Sequence, residues 1–292
     1  MQNNRDNIFS RVEGWRILLR IFLITLIYSV SGIIVLIPGY AYLGLILWPF
    51  MGFILAGFLN AAHDCIHCTH LQSRKANRIA GMAWCTFIFM NQTIYKLQHL
   101  THHKHTCIEG DTESHPNLSL RSYLYSLTGL SYWRGTLMNI IRVIRGDFPK
   151  SVNTKLSKTR SKWDNFILLS WLTIALALTI LFPRPLLFVY WFPLIFYPPV
   201  IILLSLPEHY GLQGIANVSE NTRSVRSNAF LRFFQWNGNY HAEHHFRPNI
   251  PALRLNNFYI MRTSAPSLLE QSYFRFHLRL IQELFRGTNK KS

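Results

Sequence analysis

Four stretches of this 292-residue chain, 17–37, 42–62, 165–182 and 186–206, are apolar over nearly every position. Each has about the twenty residues that a helix needs to cross some 30 Å of hydrocarbon. No other feature narrows the fold as far, because backbone amides in lipid must be paired inside a helix or a closed barrel. Runs this long without apolar–polar alternation are helices. Only 38–41 separate the first two spans and 183–185 the last two, so the spans form two tight hairpins with their open ends on one side. Arg5, Arg11 and Arg16 precede the first span, but its apolar run is too long for a signal peptide and no small-residue cleavage site follows.

Charged residues make up 15% of the chain against 49% hydrophobic, and their sign is lopsided, with 30 Lys and Arg over 13 Asp and Glu. That composition excludes a highly charged disordered chain. A basic chain with membrane-length runs is also a poor nucleic-acid binder, so no nucleic acid is expected as a partner. Arg184 alone lies in a far-side turn and Arg20 lies inside the first span; the other cations fall at the N-terminus, between Arg74 and Lys162, or after Arg223. Lys and Arg in short flanking loops resist translocation, so that side, with both termini, is expected to be cytoplasmic. The apolar run 79–90 is too short to span and reads as re-entrant or interfacial. The stretch 123–145, which mixes apolar residues with Trp133, Arg134, Arg142 and Arg145, reads as a helix in the headgroup plane. No linker or repeat divides the chain. The expectation is a single membrane-embedded domain over 1–292, all-α, with four transmembrane helices in two hairpins and a cytoplasmic helical cap. Four scattered cysteines read as reduced packing residues.

Eight of the 13 histidines fall into three clusters: His63 and His67 in HDCIH, His99, His102 and His103 in HLTHH, and His241, His244 and His245 in HAEHH. Positions i, i+3 and i+4 share a helix face, so each cluster is expected to aim its imidazoles in one direction. The hairpins bring all three to the same end. A single such cluster arises by accident on surfaces; three in a chain with four spans point to a metal centre. Zinc proteolysis does not fit, since HExxH is absent. Eight or nine imidazoles also exceed the needs of one four-coordinate zinc ion, which argues for two ions. Imidazole donors suit iron, copper, nickel or zinc alike. A metal transporter would carry ionisable ligands within its spans, where this chain has only Arg20. His70, His115 and His277 read as ordinary polar residues.

The clusters, together with TRSVRSN and WNGNYHAEHHFRPNIP, resemble the three histidine boxes (HxxxH, HxxHH, HxxHH) of the integral-membrane fatty acid desaturase superfamily over about 60–254. The resemblance implies a non-haem di-iron centre, O2 as co-substrate, and a double bond introduced into the fatty acyl chain of a lipid or acyl thioester. Related hydroxylases and ketolases acting on lipids or carotenoids carry similar boxes. It implies iron ligation by His63, His67, His99, His102, His103, His241, His244 and His245. Family members often carry one more histidine after the last span, where His209 stands. In stearoyl-type members an Asn four residues earlier holds an iron-bound water; here that position is Ser205, which either holds the water through its hydroxyl or leaves the second iron with a different shell.

Carboxylates beside metal ligands accept the second N–H of an imidazole and so fix its tautomer. Asp64, Glu208 and Glu243 adjoin ligands and Asp111 follows the second box, so they are expected in that role, whereas Glu109 and Glu113 read as surface charge. Arg223 and Arg226 either pair with those carboxylates or hold an anionic headgroup. Trp84, Phe87 and Met90 either wall an acyl tunnel or pack against neighbouring helices. Reducing O2 to water consumes two electrons beyond those of the substrate, and no nucleotide fingerprint, haem domain or iron–sulfur motif is present. A separate donor is therefore expected. The basic face suits an acidic ferredoxin-like carrier and anionic membrane lipids.

Overall fold

The computed structural model describes residues 13–113, 118–261 and 268–287; His115 and both chain ends lie outside the described residues. The helices in chain order begin with α1 (Gly14–Leu36), α2 (Gly44–Ile66), α3 (Arg74–Phe87) and α4 (Gln92–His105). They continue with α5 (Leu120–Leu127), α6 (Leu130–Arg145), α7 (Lys155–Leu181) and α8 (Pro183–His209). After α8 come a short strand β1 (Arg223–Val225), then α9 (Ala229–Phe234), α10 (His241–Phe246) and α11 (Ala252–Met261). Strand β2 (Leu268–Glu270) pairs in parallel with β1, and α12 (Tyr273–Phe285) closes the described chain.

Helices α1, α2, α7 and α8 are long and apolar enough to cross a membrane, as the sequence predicts. Two of them outrun their apolar stretches at the end that carries the histidines. Helix α2 continues through Asn60, His63 and Asp64, and α8 ends on Glu208 and His209. At the same end α7 starts on a capping box in which Thr154 and Ser157 exchange hydrogen bonds. The far-side turns are short. Pro183 opens α8 directly, since the first helical position leaves its missing N–H unneeded. Outward-facing Leu18, Phe22, Val30 and Ile33 of α1 with Phe166, Ile174 and Ile180 of α7 form an exposed apolar belt of the kind that lipid covers.

The pair α2 and α8 forms the centre of the bundle, because small residues let the backbones approach. A Cβ on Gly52 would meet Phe196 Cβ at 2.6 Å and the Pro193 carbonyl at 2.8 Å, and one on Gly57 would meet the Phe234 carbonyl at 2.1 Å. Proline inside α8 frees carbonyls, and the fold uses one of them. Pro207 has no N–H for the carbonyl of Leu203, which instead accepts a bond from His277 Nε2 on α12 at 2.9 Å. Tyr123 of α5 donates to the other nitrogen of His277, also at 2.9 Å, so His277 is the satisfied polar residue that the sequence suggests. The cation inside the first span is neutralised locally. Arg20 donates to the carbonyls of Arg232 and Phe233 at the C-terminal end of α9 and lies 4.8 Å from the Trp236 ring centre.

Two expected elements differ. The stretch 123–145 is not one helix but two, because Gly129 takes a left-handed φ of 75° between α5 and α6. The run 79–90 belongs to α3, which starts earlier, where Ser73 caps it, and ends before Phe89, whose φ is 58°. Its 14 residues reach roughly 21 Å, short of a span. Arg78 of α3 and Thr93 of α4 both bond Asp164 of α7, which ties the two short helices to the third span.

The close approach at Gly57 gives the first prediction. Gly57→Ala should lower stability by about 1–3 kcal/mol, because backbone must move to admit the methyl group. Gly135→Ala on α6, where nothing lies within 4 Å of the added carbon, should gain up to about 1 kcal/mol of helix propensity. Apparent melting temperatures of the two variants in detergent, shifted in opposite directions, check both.

Candidate metal centre

Each histidine is carried by a local feature that the sequence encodes. His63 sits in the last turn of α2 and His67 caps that helix. Asn91 caps the start of α4, and the C-terminal half of that helix brings His99, His102 and His103 under the bundle. His209 is the last residue of α8. Helix α10 is only six residues long and depends on β1: the Ser224 hydroxyl accepts from Ala242 N at 3.1 Å and donates to Glu243 at 2.5 Å. Asn239 and Val225 exchange bonds of 2.8 and 3.0 Å, which fix the approach to α10. The TRSVRSN stretch is therefore a brace for the third histidine cluster.

The nine imidazoles converge as two groups. His63, His67, His99, His103 and His244 form one, and His102, His209, His241 and His245 the other, with all ligand nitrogens of a group within 4.8 Å of one another. The structure corrects the expectation that each cluster aims in one direction. Pairs at i and i+4 stay together, as in His63 with His67, His99 with His103, and His241 with His245, while the residue at i+3 crosses to the other group. At about 100° per residue, i and i+4 lie about 40° apart around the helix, whereas i+3 lies about 100° from i+4.

Outward bonds fix the tautomers. His99 Nδ1 donates to Glu113 at 3.1 Å, His102 Nδ1 to Asp111 at 2.7 Å and His209 Nδ1 to the Asn221 carbonyl at 3.0 Å. His245 Nδ1 donates to the Thr106 hydroxyl at 3.3 Å. In all four rings the inward Nε2 is thus a lone pair, assigned from its partner's bonding. Those lone pairs face other imidazole nitrogens: His99 Nε2 has His63 Nε2 at 2.8 Å and His103 Nε2 at 2.9 Å, and His209 Nε2 has His241 Nε2 at 3.0 Å. The single lone pair of His99 cannot serve both neighbours through hydrogens, whereas one shared cation serves all three. Nε2 of His67 and of His245 is buried without a hydrogen-bond partner. Burial, reinforced by the neighbouring imidazoles, holds His67, His99, His241, His244 and His245 far below the usual histidine range and His103 at about 3. These rings are neutral at pH 7 and free to bind metal. The residues therefore fit two ions held by imidazole.

The other expected residues divide. Asp111 stands where the sequence places it: despite a burial effect in the opposite direction, the N–H groups of His102, Glu113 and Cys107 hold its carboxyl below the usual range. Glu113, read from the sequence as surface charge, carries His99; a loop folding back from residue 105 to 113 puts it there, and spacing alone gives no sign of this. Asp64 faces away from the ligands, bonding Thr69 at 2.5 Å and His70 Nδ1 at 3.2 Å, because it points off the helix face that carries His63 and His67. Arg223 donates to the carbonyls of Pro207 and Tyr210, which α8 leaves open at its end, and not to the carboxylates beside the ligands. Glu208 lies 3.5 Å from His241 Nε2, on the inward side of that ring.

A cavity of about 360 Å³ opens onto both groups, with Leu59 and Asn60 of α2, Ile201, Leu204 and Ser205 of α8, and Leu255 in its walls. Trp84 and Phe87 lie elsewhere, Trp84 tilted against Phe58 and Phe87 edge-on to Tyr190, and Met90 lines a separate recess beside α6. Their place is set by the end of α3, which turns toward α7 and away from the imidazoles.

Carboxylates that hold a ligand's second nitrogen typically change metal affinity 10- to 100-fold. Asp111→Asn should weaken one of two bound ions by that factor, and Glu113→Gln the other, while exposed Glu109→Gln should change neither. Metal titration of the stripped protein reads both steps.

The geometry agrees with the comparisons. A search among curated proteins finds no match. The family model described as fatty acid desaturase matches residues 40–275, well over half of the chain and a span that includes every convergent histidine. This protein belongs to the fatty acid desaturase family.

Proposed function

We propose that the chain is an O2-dependent di-iron desaturase that introduces a double bond into a fatty acyl chain carried as a lipid or a thioester. One observation carries the reading: two groups of imidazoles meet at the floor of a cavity whose walls are apolar faces of two membrane-spanning helices. Iron, when bound there, would supply O2 activation and the abstraction of hydrogen from an unactivated methylene. The chain's own residues do the rest. Leu59, Ile201 and Leu204 seat an alkyl chain and keep water from the reacting carbons. Glu113 and Asp111 lock two rings in the tautomer that points a lone pair inward. Asn221 does the same for His209 through its carbonyl, and its side chain bonds the Thr106 carbonyl at 3.0 Å, linking the α4 cluster to the segment after α8. The site lies at the polar end of the bundle, where the Lys and Arg residues gather, so the donor reading extends to this face: an acidic electron carrier would dock there against the basic surface.

Two measurements test the proposal. Lipid profiling of a host expressing the chain should show acyl chains with an added double bond, and His99→Ala should abolish the product and most bound iron. Product with inserted oxygen instead would assign the chain to the hydroxylases of the same family. Sidedness is tested separately. A cysteine introduced at exposed Gln72 should label only from the cytoplasm and one at Gly39, in the first far-side turn, only from outside. Labelling of both from one side would overturn the paired-hairpin topology.

A further inference from the structure

Glu208 differs from the carboxylates that hold imidazoles from behind. Asp111 and Glu113 accept from Nδ1, the outward nitrogen. Glu208 Oε2 instead lies 3.5 Å from His241 Nε2, the nitrogen that also sits 3.0 Å from His209 Nε2 and faces into the four-histidine group. Its side chain is 16% exposed. Among the described residues no hydrogen bond and no ion pair with Lys or Arg reaches it; the His241 ring is its nearest polar partner, and Tyr95, Glu113 and Tyr273 share the same cavity. An enclosed carboxylate with neither donor nor counter-charge is costly when ionised, and a bound cation removes that cost. Ser205 lies three residues earlier on the same face of α8 and lines the same cavity. Its short hydroxyl leaves the space toward the histidines to Glu208.

We propose that Glu208 is a ligand to the ion of the four-histidine group, which raises that group to five protein donors, the number the other group has in histidine alone. The two ions then differ in kind. One is held by imidazole only, and the other also by an anionic oxygen, which favours a harder and more highly charged ion. This rests on the two-ion reading of the histidines and adds an assignment that reading does not need.

The experiment is a titration of metal-stripped protein with Co2+, following visible absorption and the metal retained after desalting. Wild-type protein should take up two ions. Glu208→Gln should take up the first unchanged, which also shows that the variant is folded, and bind the second at least tenfold more weakly with an altered absorption band. Glu208→Asp should recover part of the loss, and the exposed control Glu109→Gln should match wild type. Two-ion uptake by Glu208→Gln with wild-type affinity and spectrum overturns the proposal while leaving the two-ion centre intact. Loss of both ions from Glu208→Gln and Glu208→Asp alike assigns Glu208 to folding and overturns it too. Failure of wild-type protein to bind two Co2+ overturns the two-ion centre itself, and the role of Glu208 with it.

Discussion

Nine imidazoles packed in two groups with their ring nitrogens toward one another set the terms for this structure. The acceptor His99 Nε2 lies 2.8 Å from His63 Nε2 and 2.9 Å from His103 Nε2, so its one lone pair can take a hydrogen from only one of them and the other contact is repulsive unless a cation lies among the three. The surrounding fold must therefore hold the rings in place against that repulsion whenever metal is absent. It does so from outside. Asp111 is buried and takes three N–H donors, from the ring of His102 and two backbone amides, so its position is overdetermined. Ser224 fixes the short α10, and the Asn221 side chain ties the carbonyls of Thr106 and Ile215 while its own carbonyl holds His209. Little of this bracing reaches the metal side of a ring. Bonds to Nδ1 of His99, His102, His209 and His245 rigidify those donors and leave their Nε2 available, which is the division of labour that outer partners of metal ligands serve.

The membrane-spanning part supplies the platform. Small residues on α2 let α8 and the α9 carbonyls approach within van der Waals contact of its backbone, and that contact aligns the ends of both helices. The helices then extend past their apolar stretches, so that His63 and His209 arrive together although 146 positions separate them in the chain. The same geometry leaves apolar residues of both helices facing the space beside the rings. The cavity and the convergent histidines thus come from one packing contact, with the polar ends of the helices carrying the histidines and the apolar flanks walling the cavity.

How much of this could be read from the sequence follows from the range of each interaction. The spans and the convergence of the histidine clusters were legible because hydropathy and helical spacing are local signals. The division of each cluster between two groups was also implicit in the 100° step, although treating i, i+3 and i+4 as one face hid it. Glu113 was not legible: its contact with His99 depends on how a loop closes, and an acidic residue in a polar loop looks the same whether or not a ring lies beside it. Asp64 misled for the opposite reason. Adjacency to His63 in sequence places its side chain about a quarter turn away on the helix, toward Thr69 and His70. Trp84 and Phe87 carried no local sign of which neighbour they face, and the aromatic core took them. The break at Gly129 was a local signal that the amphipathic pattern across 123–145 overrode.

The split of clusters also fixes how the two groups relate. His102 and His103 are neighbours in one helix and His244 and His245 neighbours in another, and in each pair one ring serves each group. Their ring centres lie 6.0 Å apart in the first pair and 5.8 Å in the second. Covalent geometry alone therefore holds the groups side by side, from two helices that approach from different directions. Because each of these helices presents donors to both groups, a displacement of α4 or α10 moves donors of both at once.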